Sequence, residues 1–321
     1  MKILVTGGAG YIGSHVVADL LERGHDITVF DNLSSGFLSN IPENVKFVKG
    51  DILNQDDLRN VFTEQFDVVM HFAALKAAGE SMTDPGKYAV NNIFGSINIL
   101  NAMVEAEVKN IIFSSSAAVY GYPKYLPVDE NHPTNPINYY GYTKLAIEEN
   151  LKWYSELKGI NFAALRYFNA AGYDGQGRVT QLENNPANLL PIVMEVAIEQ
   201  RDRIMVFGDD YKTNDGTGIR DYIHVNDLAS AHIKAIDYLI TQKENLIVNL
   251  ATGIGYSVLD VIKEAKNVTG RSISYKMVER RAGDPDELVA KSSIANNLLN
   301  WQPKHSSLEN ILETMWKIYK R

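Results

Sequence analysis

The 321-residue chain predicts an α/β fold: a doubly wound parallel sheet accompanied by a smaller mixed α/β lobe. Two observations carry that expectation. A short apolar run, Ile3-Leu4-Val5, leads into a glycine-rich turn, Gly7-Gly8-Ala9-Gly10-Tyr11-Ile12-Gly13, that opens a helix. Through the first half of the sequence, apolar runs of strand length then alternate with periodic segments of helix length, as a parallel sheet with crossover helices requires.

The elements follow in order. Lys2 to Thr6 reads as a buried strand, and Ser14 to Glu22 as a helix stopped at Gly24. Ile27 to Phe30 is a second strand, ending on Asp31. Val45 to Val48 is a third, closing on Gly50-Asp51-Ile52. Asp56 to Phe62 reads as a helix and Asp67 to Phe72 as a strand. Pro85 to Val104 predicts one long helix, and Asn110 to Ser114 the next strand. A helix from Tyr140 to Leu157 leads to a strand at Phe162 to Arg166. Past Asn169 the character changes, because Gly172 to Asn188 is polar and glycine-rich with few periodic apolar positions. It reads as the passage from a first lobe, 1–170, into a second, 171–321. The second holds a helix at Pro191 to Glu199, strands near Met205 and Val248, and a closing helix at Leu308 to Tyr319. Ser230 to Leu239 is open to either lobe, so a segment near 220–240 is a candidate to return to the first.

Strand, glycine turn, helix, strand and terminal acid are the parts of a dinucleotide-binding Rossmann βαβ unit. The glycines let backbone approach a pyrophosphate, whose charge meets the helix amino terminus. Asp31 lies 18 residues beyond Gly13, about right for a ribose 2′-hydroxyl. Its carboxylate would repel a 2′-phosphate, and Asn32-Leu33-Ser34 supplies no arginine to compensate. NAD is therefore expected over NADP. A glycine motif alone would be a tight turn; the strand–helix–strand context argues against that reading.

Composition narrows the chemistry. There is no cysteine, which excludes thiolate catalysis, disulfides and cysteine-ligated zinc. His224 and His232 match no metal spacing and read as structural, so no metal is expected. A formal net charge of −8 argues against general nucleic-acid binding. A strand starting at the first methionine leaves no room for a signal peptide, and no apolar run approaches a membrane span. A cytoplasmic enzyme without nucleic-acid or membrane partners is expected.

The chemistry is expected in Phe113-Ser114-Ser115-Ser116-Ala117-Ala118-Val119-Tyr120-Gly121 and Tyr140-Gly141-Tyr142-Thr143-Lys144. Tyr140 and Lys144 stand four apart and share one helix face. A free tyrosine has a pKa near ~10, and an adjacent cation favours its phenolate. Lowering that value by roughly three units takes about 4 kcal/mol of preferential phenolate stabilisation. Lys144 could supply part of it, and a cationic nicotinamide ring much of the rest. The product is a base usable at neutral pH. Tyr-x-x-x-Lys alone also occurs by chance on solvated helix faces, and its weight here comes from what precedes it.

Several segments in this order resemble the extended short-chain dehydrogenase/reductases, and within them the UDP-glucose 4-epimerase (UDP-galactose 4-epimerase) family. They are Thr6 to Gly13, Asp31-Asn32-Leu33, His71-Phe72-Ala73-Ala74-Leu75-Lys76, the serine block, Leu165-Arg166-Tyr167-Phe168-Asn169, and Asp215 to Val225. The resemblance covers essentially the whole chain. It implies reversible inversion at C4 of UDP-glucose and UDP-galactose through a transient 4-keto sugar and hydride transfer to tightly bound NAD. It implies Tyr140 as the base, Lys144 as the lysine that holds nicotinamide ribose and depresses the tyrosine, and Ser116 as the hydroxyl bonded to sugar O4. Lys76 would reach the cofactor beside the substrate.

The implied cofactor contacts are Gly7, Gly10, Tyr11, Ile12, Gly13, Asp31, Asn32, Asp51, Ile52, Phe72, Ala73, Ala74, Lys76, Asn91, Ser114 and Phe168, with Tyr140 and Lys144. The implied substrate contacts are Asn169, Asn188, Leu189, Phe207, Arg220, Tyr222, Arg281, Asp284 and Leu288, with Lys76, Ser116 and Tyr140. Arg220 and Arg281 suit a diphosphate, since guanidinium bonds phosphate oxygens in pairs. Standing alone, Arg220 beside Asp221 and Arg281 before Asp284 would be surface ion pairs worth under ~1 kcal/mol. Leu288, the position implied to line the sugar pocket, is neither small nor aromatic, which leaves UDP-N-acetylhexosamines and UDP-pentoses open. A homodimer through Pro85–Val104 and Tyr140–Leu157 is implied as well. A nucleotide-sugar dehydratase would carry an acidic pair where Ser116-Ala117 stands. A decarboxylase, a net dehydrogenase and a non-catalytic NAD-sensing protein are the remaining alternatives.

Overall fold

The computed structural model of the protein describes residues 1–183, 186–281 and 283–321. In chain order the first half lays down β1 (Lys2–Thr6), α1 (Tyr11–Glu22), β2 (Asp26–Asp31), β3 (Lys46–Lys49), α2 (Gln55–Val61) and β4 (Val68–His71). It continues with α3 (Ala78–Thr83), α4 (Pro85–Tyr88), a π-helical turn at Ala89–Phe94, α5 (Gly95–Glu105), β5 (Asn110–Ser116), α6 (Tyr139–Lys158) and β6 (Asn161–Tyr167). The second half holds β7 (Asn169–Ala171), α7 (Leu189–Ala197), β8 (Ile204–Phe207), β9 (Ile219–His224), α8 (Val225–Gln242) and β10 (Leu246–Leu250). β11 (Gly255–Ser257), α9 (Val258–Thr269), β12 (Tyr275–Val278), β13 (Glu287–Leu288), α10 (Ser293–Leu299) and α11 (Leu308–Tyr319) complete it.

A seven-stranded parallel sheet runs in the order β10-β6-β5-β4-β1-β2-β3. Its central strands are buried on both faces, which is why they read as unbroken apolar runs. From β1 the chain winds one way to β3 and then, from β4, the other way to β10. The reversal between β1 and β4 is the switch point at which doubly wound sheets bind ligands, beyond the carboxyl ends of the strands.

Chain beyond Asn169 also serves this sheet. β10 pairs with β6, Val248 against Leu165. α8 lies along α1, and Leu228, Ile236 and Trp301 join the core of Val5, Val16 and Leu20. Elsewhere β9 pairs in parallel with β7 and β13 and antiparallel with β11, while β8 pairs with β12. α7, α9 and α11 close a separate core around Val193, Val261 and Ile311.

Two local differences from the sequence reading have physical causes. α1 begins at Tyr11 rather than Ser14, because Gly13 is already helical and packs on the Gly7 carbonyl. The long helix expected from Pro85 keeps helical backbone across Ala89, Phe94 and Gly95, but includes the π turn. In that turn Asn92 is buried and bonds the Leu75 backbone. Among the described residues no helix is long and apolar enough to cross a membrane, and no metal-binding cluster of His, Asp and Glu occurs.

Candidate active site

The glycines between β1 and α1 have separate reasons to be there. A Cβ on Gly7 (φ +74°) would sit 2.5 Å from the Ala73 nitrogen, and one on Gly13 would sit 2.3 Å from the Gly7 oxygen. Packing therefore demands both. A Cβ on Gly10 would meet only the Gly7 oxygen, at 3.3 Å. The bareness of Gly10 thus serves whatever approaches from outside. Open backbone at the head of a helix with no acid in its first turn fits a dinucleotide pyrophosphate.

Around that turn the other expected cofactor residues take up definite positions. Asp31 accepts the Ala9 N–H at 3.0 Å on one carboxylate oxygen and the Leu33 N–H at 2.8 Å on the other. Burial pushes its carboxyl up, and these two bonds oppose that shift. Each oxygen keeps a lone pair for a ribose hydroxyl. Asp51 accepts the Leu53 N–H at 2.9 Å and the Asn32 side-chain amide at 3.0 Å, so Asn32 and Asp51 form one pair. Ile52 is buried, and Ile12 packs on the first core. The Ala73 N–H donates to the Thr6 oxygen at 3.1 Å, which sets Phe72, Ala73 and Ala74 beside the turn; the Phe72 ring rests on His232. The Tyr11 hydroxyl donates to the Gly172 carbonyl, and its ring meets His15 and Tyr173 edge-on. Lys76 pairs with Glu183, and Asn91 donates to Asn92 at 3.0 Å.

Ser116, Tyr140 and Lys144 are brought together by the packing of α6 on the turn that follows β5. Asn138 caps α6, accepting the Gly141 N–H at 2.8 Å. Gly141 is required because a Cβ there would lie 2.4 Å from the Ala118 oxygen. Ser116 ends β5, its hydroxyl accepting the Ala118 N–H at 3.2 Å. The Tyr140 N–H donates to Ser81 at 3.0 Å. Burial raises the Tyr140 phenol, and the Ser116 hydroxyl pulls it the other way. The buried Lys144 ammonium donates to the Ser114 carbonyl at 2.8 Å and lies 4.9 Å from the Phe113 ring centre and 5.8 Å from that of Tyr140. Burial lowers Lys144 to about 7, with Glu148 opposing. The Ser114 hydroxyl bonds that of Tyr167.

One cavity adjoins this group through Ser116, and a larger one adjoins the first. The larger, about 460 Å³, is lined by Asn169, Asn188, Leu189, Phe207, Arg220, Tyr222, Arg281 and Asp284. The smaller, about 240 Å³, is lined by Ser116, Phe168, Asn169, Arg220, Asp284 and Leu288 among others. Asn169, Arg220 and Asp284 border both, so the cavities are neighbours. Arg220 stands 3.7 Å from Asp284, while Arg281 lies 3.9 Å over the Phe207 ring instead of pairing with the acid. The Asn169 amide donates to the Asp221 carbonyl at 2.9 Å. Burial holds the Tyr222 phenol well above its ordinary value.

Sequence reasoning passed over Asn92. Its side chain accepts the Leu75 N–H at 2.8 Å and donates to the Leu75 carbonyl at 3.0 Å and the Thr143 hydroxyl at 3.1 Å. It therefore ties the segment carrying Lys76 to the helix carrying Tyr140. The adjacent pair Asn91-Asn92 in the middle of the expected helix was the signal available.

A doubly wound sheet with a bare glycine turn at its switch point, flanked by two joined cavities, defines a dinucleotide-binding α/β enzyme. The chain belongs to the NAD dependent epimerase/dehydratase family, whose sequence model matches residues 3–251. It is 47% identical to a UDP-glucose 4-epimerase of Halalkalibacterium halodurans, over 100% of this chain and 96% of that one. The solved UDP-glucose 4-epimerase of Brucella ovis in complex with NAD superposes with a TM-score of 0.96 at 43% identity, covering 99% of this chain and 98% of that one. That of Bifidobacterium longum, in complex with NAD+ and UDP, gives a TM-score of 0.94 at 37% identity, covering 100% and 98%.

Proposed function

We propose that the protein interconverts UDP-glucose and UDP-galactose by inverting C4 with NAD as resident cofactor. The observation that carries the reading is the meeting of Ser116, Tyr140 and Lys144 beside a cavity that shares Asn169, Arg220 and Asp284 with a larger one. Gly10, Asp31 and the Asn32–Asp51 pair would hold NAD, which would supply the hydride acceptor and donor for C4. Tyr140 takes the proton from sugar O4 and later returns it, Ser116 bonds that oxygen, and Lys144 favours the phenolate. Arg220 and Arg281 clamp the diphosphate in the larger cavity, and the sugar occupies the smaller one. Leu288 lines the smaller cavity, so the acceptance of N-acetylated or pentose UDP-sugars is decided there.

The cofactor lobe on this reading is 1–170 together with α8 and β10, and the rest binds UDP-sugar. Val90 and Phe94 before α5, and Tyr142, Trp153 and Leu157 on α6, are about half exposed or more. These apolar side chains support a homodimer through those helices. The net charge of −8 and the absence of cysteine are compatible with a cytoplasmic setting.

The test is incubation of the purified protein with UDP-galactose and no added NAD, following UDP-glucose by NMR, beside Tyr140→Phe. Conversion by the wild type and loss of turnover with retained NAD in the variant is the expected pair of results. Near wild-type turnover in Tyr140→Phe would sink the assignment of the base.

A further inference from the structure

A group of buried polar residues, unused in the mechanism above, anchors the serine strand from its other side. Glu148 follows Lys144 by one turn of α6 and, like Ser115, is fully buried; Arg166 is nearly so. The Ser115 hydroxyl donates to one Glu148 oxygen. Arg166 grips the same carboxylate twice, with Nε at 2.9 Å and with Nη2. Its Nη1 donates to the Tyr120 hydroxyl at 3.0 Å, and Tyr120 donates to Asn249 at 2.6 Å. β5, α6, β6, β10 and the turn after Ser116 are thereby joined by one run of hydrogen bonds. Side chains alternate across a strand, so holding Ser115 on one face fixes Ser114 and Ser116 on the other. A buried ion pair is a poor device for stability alone, because well-packed apolar residues do as well or better.

We propose that Glu148 is a positioning residue: its carboxylate, one turn beyond Lys144 on the same face of α6, locks the pleat of the serine strand and stands as the countercharge to the Lys144 ammonium. The proposal rests on the roles given above to Tyr140 and Lys144. Several groups lie within reach of Lys144. They are Tyr140 and Glu148 on α6, the Ser114 carbonyl and Phe113 ring on β5, and His71 on β4, with Arg166 held on Glu148 and Tyr167 on Ser114 behind them. Burial keeps His71 neutral, down at about 3, and holds the Tyr167 phenol well above its ordinary value. Arg166 is engaged by Glu148, and the Glu148 charge is the one that opposes the downward push of burial on Lys144.

The experiment measures kcat against pH for holoenzyme carrying Glu148→Gln, with UDP-galactose as substrate. Without the anion Lys144 loses its proton at lower pH, so the alkaline limb moves down. A displacement of about half a unit, read as roughly threefold lower kcat on that limb, is expected. Glu148→Gln combined with Arg166→Gln leaves no uncompensated buried cation and should show a smaller displacement in the same direction. Ser115→Ala keeps both charges and should lower kcat while leaving the limb in place. An unmoved limb in a folded Glu148 variant, or a moved one in Ser115→Ala, overturns the proposal. Tyr140→Phe separates the levels: if it stays active the catalytic reading itself fails, and if it is dead while the Glu148→Gln limb is unmoved, only this inference fails.

Discussion

Replacing Lys144 by methionine keeps a long unbranched side chain and removes its charge. The ammonium lies 5.8 Å from the centre of the Tyr140 ring. At an effective dielectric of about 20, attraction between ammonium and phenolate over that distance is about 3 kcal/mol, or about two pKa units. Burial raises the Tyr140 phenol and the Ser116 hydroxyl opposes that shift, so the charge on Lys144 has to supply the remainder. The phenolate fraction at neutral pH should therefore fall about 100-fold in Lys144→Met, and kcat with it. The base works deprotonated, so activity disappears as pH falls through its pKa. The acid limb of the variant should accordingly sit about two units higher than that of the wild type. The assay is the initial rate of UDP-galactose conversion between about pH 6 and pH 10, with bound NAD measured in each preparation. A variant with full NAD whose neutral-pH kcat stays within about threefold of wild type, or whose acid limb does not move, refutes the argument that this charge activates Tyr140.

Asp31→Ala removes a carboxylate proposed to take ribose hydroxyls and leaves the Ala9 and Leu33 N–H groups without their acceptor. NAD affinity of stripped protein should fall about 10-fold or more, narrowing the preference over NADP; titration with both cofactors checks this, and unchanged NAD affinity contradicts it. Stability should also fall steeply in acid. Burial holds His15 and His232 at about 4 and His71 and His224 at about 3. An unfolded chain takes up protons on all four below the ordinary histidine value while the folded one does not. Their contribution is therefore intact above about pH 6.5 and lost as pH falls toward 4 and 3. Asp221, pushed up to about 6 by burial, works in the opposite sense, binding a proton in the folded protein first. From these five groups the net uptake on unfolding near pH 5.5 should be about three protons, or about 4 kcal/mol per pH unit. Asp19, Asp31 and Glu130, raised by burial as Asp221 is, will reduce it. The urea midpoint as a function of pH measures it, and a slope near zero contradicts the burial argument.

The parallel sheet was legible because burial on both faces writes a strand as a run such as Ile111-Ile112-Phe113. β10 was legible as a strand, but nothing local says that Val248 pairs with Leu165. α3 was missed: Ala78–Thr83 is short, mostly exposed and without a side-chain cap, so it leaves no periodic trace. β9 went unread because its buried positions include Asp221 and His224, polar residues satisfied by partners from distant segments. At the site, residue types close together in sequence, such as Tyr140 and Lys144, announce themselves through helix geometry. Pairings such as Arg281 on Phe207, which follows from β12 lying beside β8, or Lys76 with Glu183, 107 residues further on, arise only in the folded chain.

An enzyme that inverts C4 must offer both faces of one carbon to one base, which sets opposing demands on binding. The nucleotide end needs strong directional contacts, and the sugar needs few. The larger cavity gathers Arg220, Arg281 and Asp284 with the ring of Phe207. Beyond the shared residues, the smaller offers Ser116, Asn138 and Tyr167 among small or apolar groups: Ala117, Ala118, Gly121, Ile137, Phe168, Pro285 and Leu288. Asn138 is engaged as the cap of α6 and Tyr167 by the Ser114 hydroxyl, so a hexose that turns there exchanges few hydrogen bonds. An acidic pair at Ser116 and Ala117 would fasten the ring and supply groups for elimination. The small Ala117 side chain is therefore as much a part of the proposed inversion as the Ser116 hydroxyl beside it.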